Sequence, residues 1–253
     1  GKADFGVSYQ EDVTYALTSE DPLPIKTIAT IIQHNTSGFV SLKSANINSV
    51  KDFEGKTYAG WGAPSEEAVI KAVMNEAGAD FSKLNIVGSD GSGIAGLSDE
   101  VGKNKVNLGW EFYGWAIIKA LQDGYDLNYM PLADLDSRLD YYTPVIITNN
   151  KMIKKNSDTI QKFMEATKKG YEYAIDHPSK AAEILHDDAL TDTDLKFLKE
   201  SQKYLSSQYA KDADTWGVMK DSVWDNYTDF MYETGLIDHK IDAKDQYTNE
   251  FVK

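Results

Sequence analysis

The sequence predicts an α/β fold built on mainly parallel sheets. Three observations predict it: strand-length apolar segments alternate with segments of helical period as far as Trp110, glycine-bearing turns link them, and beyond Ser157 the pattern turns almost wholly helical. With 253 residues, of which 42% are hydrophobic, the chain can bury a sizeable core as one large domain or two lobes.

The elements follow in order. Asp4 to Tyr9 reads as a short strand and Glu11 to Leu17 as a helix, so the alternation is already under way at the start. Ile25–Ile32 and Gly38–Leu42 read as strands separated by the polar loop Gln33 to Ser37. Ser49 to Phe53 is a short capped helix, Thr57–Trp61 a strand and Ser65–Glu76 a helix whose Ala68, Val69, Ala72 and Val73 form one apolar stripe. Leu84–Val87 and Val106–Trp110 are the next strands, and Tyr141–Thr148 a long one that returns the chain from one lobe to another. Ser157 is the expected N-cap of a helix carrying Ile160, Phe163, Met164, Tyr171 and Ile175, with Pro178 at its end. Helices are expected again at about Thr193–Tyr209 and Thr215–Tyr232.

Composition excludes several functions. A net charge of -14 opposes nucleic acid and anionic lipid, and Arg138, the one arginine, leaves few partners for a polyanionic ligand. Without cysteine, thiol catalysis, thiolate metal sites and disulfides are out. The four histidines, His34, His177, His186 and His239, never pair at helical spacing, so no metal or other cofactor is expected. No apolar run approaches the roughly 20 residues needed to span a bilayer, and any export signal has been removed or was never present.

The chemistry concentrates in Asn107 to Trp115, where Glu111 stands among Trp110, Phe112, Tyr113 and Trp115 at the end of a strand. Aromatic faces stack on planar ligands, and a carboxylate meets an exocyclic amine beside a ring nitrogen. The same run also fits a core cluster with an acid at a helix start. The turn Gly60 to Glu67 opens a helix whose N–H groups could attract an anion, but Glu66 and Glu67 repel one and Pro64 removes a donor. A neutral or weakly basic ligand is favoured there, with Trp61 a stacking wall and Ser65 an N-cap and candidate contact; a plain Ser-Glu-Glu helix start is the competing reading. Gly88 to Gly93 lacks the ending of a phosphate-binding loop and reads as a flexible connection. Asp134, Asp136 and Asp140 lack the glycine and glutamate of a calcium loop and read as a solvated acidic loop. His34 is a loop residue held by backbone or aimed at a ligand. No Gly-x-Ser-x-Gly elbow or other catalytic constellation occurs.

Taken together, Asp4 to Gln10, Ile31 to Gly38, Lys51 to Lys56, Gly60 to Glu67, the aromatic run, Tyr142 to Asn149 and Ser201 to Leu205 resemble a known family. The chain is similar to the substrate-binding proteins of bacterial ABC importers for thiamine pyrimidine precursors, and through them to the yeast thiamine pyrimidine synthases. The resemblance implies a type II periplasmic-binding fold of two lobes, 1–44 with 145–253 and 45–144, whose mainly parallel sheets are flanked by helices. It further implies a non-enzymatic extracytoplasmic protein, lipid-anchored in its full-length form, that captures a formylaminopyrimidine or hydroxymethylpyrimidine in an interlobe cleft and delivers it to an importer permease.

The matched positions place Tyr9, Gln10, Trp61, Ser65, Trp110, Glu111 and Tyr113 at the ligand. Glu111 would take the amino-pyrimidine edge, and Tyr113 or Trp110 would stack. The chain departs from the family in lacking the first β/α units, which implies an N-terminally shortened form with one cleft wall missing and a sheet edge open to pairing in a homodimer. It departs from the yeast enzymes in having no counterpart of their cysteine motif. Three other readings stay open: a synthase relative, a binder of another small solute such as a sulfonate, and a shortened remnant that binds nothing.

Overall fold

The structure, a computed structural model, describes residues 2–103 and 105–252. The chain forms two compact units, Gly1–Asn35 with Arg138–Lys253 as unit 1 and Thr36–Ser137 as unit 2. It opens in unit 1 with β1 (Phe5–Ser8), α1 (Gln10–Thr18) and β2 (Ile25–Thr30). Unit 2 contributes β3 (Ser37–Leu42), β4 (Thr57–Gly60), α2 (Pro64–Glu76), β5 (Asn85–Gly88), β6 (Leu108–Phe112), α3 (Ile118–Gln122), β7 (Leu127–Pro131) and α4 (Leu132–Leu135). Unit 1 then resumes with β8 (Val145–Asn149), α5 (Asn150–Lys155), α6 (Ser157–Asp176), α7 (Pro178–Asp188), α8 (Leu195–Ser206), α9 (Asp221–Glu233) and α10 (Ala243–Gln246).

The sheets are mixed, not mainly parallel. In unit 1 the order is β1-β8-β2, and the returning strand β8 runs antiparallel to both neighbours. In unit 2 the order is β5-β4-β6-β3-β7, with β4 parallel to β5 and β6 but β3 antiparallel to β6 and β7. Strands joined by a crossover helix inside a unit run parallel. The strands by which the chain enters unit 2 or re-enters unit 1 carry no such constraint, and these are the reversed ones. Because β3 pairs with β6 and β7, residues 36–44 go with unit 2; Tyr141, whose ring stacks on Tyr227 at 4.0 Å, goes with unit 1. The division therefore falls at 35/36 and 137/138 instead of the expected 44/45 and 144/145.

Local chemistry explains the other differences. The long strand expected over Tyr141–Thr148 starts only at Val145, since Pro144 has no N–H and the Tyr142 N–H is taken by Gln10 Oε1 at 2.8 Å. Strand β6 begins at Leu108, two residues late, because Val106 makes only an isolated bridge with Leu97. Ser157 is the first residue of α6, not its N-cap. Helix α5, capped by Asn149 accepting from Met152 N at 2.9 Å, runs up to Asn156, and that residue takes the cap position. Pro178 both ends α6 and starts α7, a helix absent from the sequence reading, because proline fits the first helical position. Strand β7 is likewise absent from that reading; it ends in Pro131 and lies at a sheet edge, where a missing N–H does no harm. Helix α9 starts at Asp221 instead of Thr215. Just before it, Trp216 is buried and Gly217 adopts φ +90, where a Cβ would stand 2.9 Å from Val252 Cγ1.

Among the described residues two core clusters hold unit 1. One joins Ile28, Ile31, Ile146, Ile160 and Met164 to Trp216, which stacks on Tyr171 at 4.4 Å and donates to Ile31 O at 3.2 Å. The other gathers Val13, Tyr142, Val145, Met219 and Trp224. His34 Nδ1 lies 2.6 Å from Asp140 Oδ2, while Asp140 Oδ1 accepts the Asn35 N–H at 2.8 Å. Asp140 therefore ties two segments of unit 1 together and is not part of a merely solvated loop. Its hydrogen bond raises the His34 pKa above the ordinary value, so the stability this pair adds is present at low pH and lost as pH rises.

Glu11 acts in the same direction. Burial pushes its carboxyl from 4.5 up to about 7, against a hydrogen bond from Tyr227 Oη at 3.1 Å that lowers it. Between those values the folded state holds a proton that the unfolded chain has released, so stability falls as pH rises through the window. Glu11→Gln is expected to stabilise the protein by on the order of 1 to 3 kcal/mol at about pH 8 and by almost nothing near pH 4. Thermal unfolding at the two pH values checks this; equal shifts at both would contradict it.

Candidate functional site

The site builds outward from β6. Asn107 anchors its start: the side chain accepts from Thr57 N at 3.0 Å and donates to Ser98 O and Glu100 O at 3.1 and 2.9 Å. After Phe112 the chain makes a wide helical turn of π type over Tyr113–Ile117 before α3. Such turns are frequent at functional sites.

Successive residues of a strand point to opposite faces of the sheet, and this divides the aromatic run. Trp110 pairs in register with Phe39 and packs edge-on against it at 5.7 Å; Phe39 in turn meets Phe53 and Tyr58. On the same side Trp61, 58% exposed, contacts Trp110 at 5.2 Å. Glu111 and Tyr113 lie on the other face, where Tyr113 packs with Val40, Ile94 and Ile117 and meets the Tyr129 ring at 5.3 Å. The run is neither wholly core nor one continuous stacking wall.

Glu111 is half-buried, and among the described residues its carboxylate has no hydrogen-bond or ion-pair partner; burial alone raises its pKa. Gly38 stands opposite it in the ladder. A Cβ at Gly38 would lie 2.4 Å from Met130 O and 2.8 Å from Tyr129 Cζ, so glycine is what lets the Tyr129 ring lie beside the carboxylate's strand. The Tyr129 hydroxyl donates to Thr36 O at 2.8 Å, which fixes that ring. Gly93 closes the near side, with Glu111 Oε1 3.7 Å from where its Cβ would be.

The β4–α2 turn carries a second carboxylate. Glu66, 2% exposed, accepts from the Tyr58 hydroxyl, from Trp61 N at 3.2 Å and from Gly62 N at 2.8 Å. It thus reaches back from the third helical position to the two residues that precede the N-cap, Trp61 and Gly62. The N-cap itself is Ala63, with Pro64 first in the helix, so Ser65 is a buried second residue and not the expected cap. Both Glu66 and Glu111 act electrostatically on the Tyr58 hydroxyl and, after burial, help raise its pKa.

The remaining two expected residues lie in unit 1. Tyr9 is exposed at the start of α1, whereas Gln10 is 0% exposed and bound at both ends of its amide, accepting from Tyr142 N and donating to Val223 O at 3.2 Å. Gln10 is a brace between α1, the segment before β8 and α9. Sequence reasoning places no ligand role on Tyr129, Gly38 or Gly93, which reach Glu111 only through strand pairing and a loop. Among the described residues no group of three His, Asp or Glu side chains could hold a metal ion, and no helix is long and apolar enough to cross a membrane.

This architecture is that of a periplasmic-binding-type α/β protein. It superposes on the periplasmic aliphatic sulphonate binding protein SsuA of Escherichia coli with a TM-score of 0.71 at 13% identity, over 97% of this chain and 75% of that one. The chain belongs to the family described as NMT1/THI5 like, which matches residues 1–181. It is 25% identical over 189 residues to the formylaminopyrimidine-binding protein of Halalkalibacterium halodurans, covering 73% of this chain and 54% of that protein. It is 24% identical over 255 residues to the riboflavin-binding protein RibY of Chloroflexus aurantiacus, covering 93% of this chain and 67% of RibY. The chain thus spans about half the length of the first relative and two thirds of the second.

Proposed function

We propose that this chain is a non-enzymatic, extracytoplasmic solute-binding protein that delivers a thiamine pyrimidine precursor, a formylaminopyrimidine or hydroxymethylpyrimidine, to an ABC importer. The observation that carries the reading is Glu111, a half-buried carboxyl with no partner among the described residues, set beside Tyr113 and Tyr129. A half-buried carboxylate is partly stripped of water, and a ligand donor would offset that cost. An aminopyrimidine edge offers an exocyclic amine donor, and the Glu111 carboxylate, which has no partner of its own among the described residues, can accept from it.

Tyr113 shares Glu111's side of the sheet and is the proposed stacking residue; Trp110 and Trp61 line the other face and are proposed to bear on the ligand from the α2 turn. Both curated relatives are named for binding a nitrogen heterocycle, which agrees with this assignment. Fold alone does not separate a binder from an enzyme. Among the described residues no nucleophile, base and orienting acid come together around Glu111, which favours binding. A sulfonate is disfavoured because two carboxylates stand here, while Arg138 is engaged by Glu233 at 2.6 Å in unit 1.

Titration calorimetry with the two pyrimidines, on this chain and on any longer natural form, tests the reading. Glu111→Gln is expected to weaken binding by about tenfold to a hundredfold, the worth of a hydrogen bond to a charged group. An absence of heat at millimolar pyrimidine in the natural form would end it.

A further inference from the structure

We infer that Glu66 is the residue that sets the charge of the solute: it fills the anion-binding turn of unit 2 from within and so restricts the site to uncharged or cationic heterocycles. The inference rests on the proposed pyrimidine reading for the identity of the solute, but not for the role of Glu66.

A strand-to-helix turn with a glycine and free backbone N–H groups is a general site for phosphate or sulfonate. Here the sequence Gly60-Trp61-Gly62 supplies the turn, and its Trp61 and Gly62 N–H groups both point at Glu66. The carboxylate is further held by the Tyr58 hydroxyl from the floor of β4. Gly60 is what admits it, because any Cβ there would stand 2.0 Å from Glu66 Oε1. Two donors that an anionic solute would use, the Trp61 and Gly62 N–H groups, are therefore taken by a buried acid of the protein. A second acid, Glu111, adds its field at the same tyrosine. An arriving phosphate ester would find the Trp61 and Gly62 N–H groups occupied and a buried acid behind them, and like-charge juxtaposition with desolvation is strongly unfavourable. An uncharged pyrimidine loses nothing by this arrangement and gains Glu111 as an acceptor.

The test compares wild type, Glu66→Ala and Glu66→Gln in titrations with inorganic sulfate, with hydroxymethylpyrimidine and with its phosphate ester. Wild type is expected to ignore millimolar sulfate and to prefer the uncharged pyrimidine over its phosphate ester by about tenfold or more, the worth of one charge-assisted hydrogen bond. Glu66→Ala frees the two N–H groups and is expected to gain sulfate binding; Glu66→Gln, which keeps the volume and removes the charge, is expected to narrow the preference for the uncharged pyrimidine.

If Glu66→Ala does not fold, the wild-type preference and the Glu66→Gln ratio decide. Wild type that binds sulfate, or a folded Glu66→Ala that still refuses it, overturns the inference, as does a Glu66→Gln protein with an unchanged ratio. Should no pyrimidine bind wild type while Glu66→Ala takes up sulfate, the pyrimidine reading fails and the role of Glu66 stands.

Discussion

Alanine at Gly60 is expected to cost unit 2 about 3 to 5 kcal/mol, a large part of what a marginally stable domain has. The added Cβ would stand 2.0 Å from Glu66 Oε1, 2.4 Å from its Cδ and 2.6 Å from Tyr58 Cε1. A flexible glutamate could ordinarily swing aside, but this one is pinned by three donors, and the tyrosine ring is fully buried. Overpacking alone costs about 1 to 3 kcal/mol. The buried Tyr58 hydroxyl, on losing the carboxylate, adds about 1 to 3 kcal/mol, and the part-buried Trp61 and Gly62 N–H groups add less. Urea unfolding monitored by tryptophan fluorescence reads the loss directly. A midpoint unchanged from wild type would mean that Glu66 can leave the turn at no cost, and the specificity role inferred for it would fall with that result.

Trp224→Ala should destabilise unit 1 by about 3 to 5 kcal/mol, the range for a large aromatic deleted from a core. Trp224 on α9 is 0% exposed, packs with Val13, Val145 and Met219, and stacks nearly parallel on Tyr247 with centroids 5.7 Å apart. Among the described residues its indole N–H has no hydrogen-bond partner. The loss is therefore one of packing, and Trp224→Phe, which keeps a six-membered ring and leaves a smaller cavity, should recover about half of it or more. Circular dichroism melts of the two variants make the comparison. A phenylalanine variant as weak as the alanine one would point instead to a polar partner for the indole nitrogen.

Much of the fold is legible in the sequence because its signals are local. The helical period of Ile160 and Met164, the Ser49 cap and the apolar run of β2 each depend on neighbours within a few residues. The differences are decided at a distance. Gln10 reads as a ligand contact, yet it is spent on Tyr142 and Val223, residues far along the chain. Ser65 reads as a cap, yet Ala63 takes that position without a side-chain bond, and Glu66 reaches backward into the turn before it. Strand direction escapes the sequence because alternation of elements does not say which strands follow a passage between units.

The candidate site divides the same way. Sequence alone singled out a carboxylate amid aromatics, an acidic chain poor in arginine, and a helix start hostile to anions, since residue type and spacing settle charge, size and hydrogen-bonding capacity. Only the tertiary structure decided that Trp110 and Glu111 turn to opposite faces, that Tyr129 and Gly38 flank the carboxyl, and that Glu66 occupies the turn's donors. Strand pairing and burial set those outcomes, and both belong to contacts between residues that the order of the chain keeps apart.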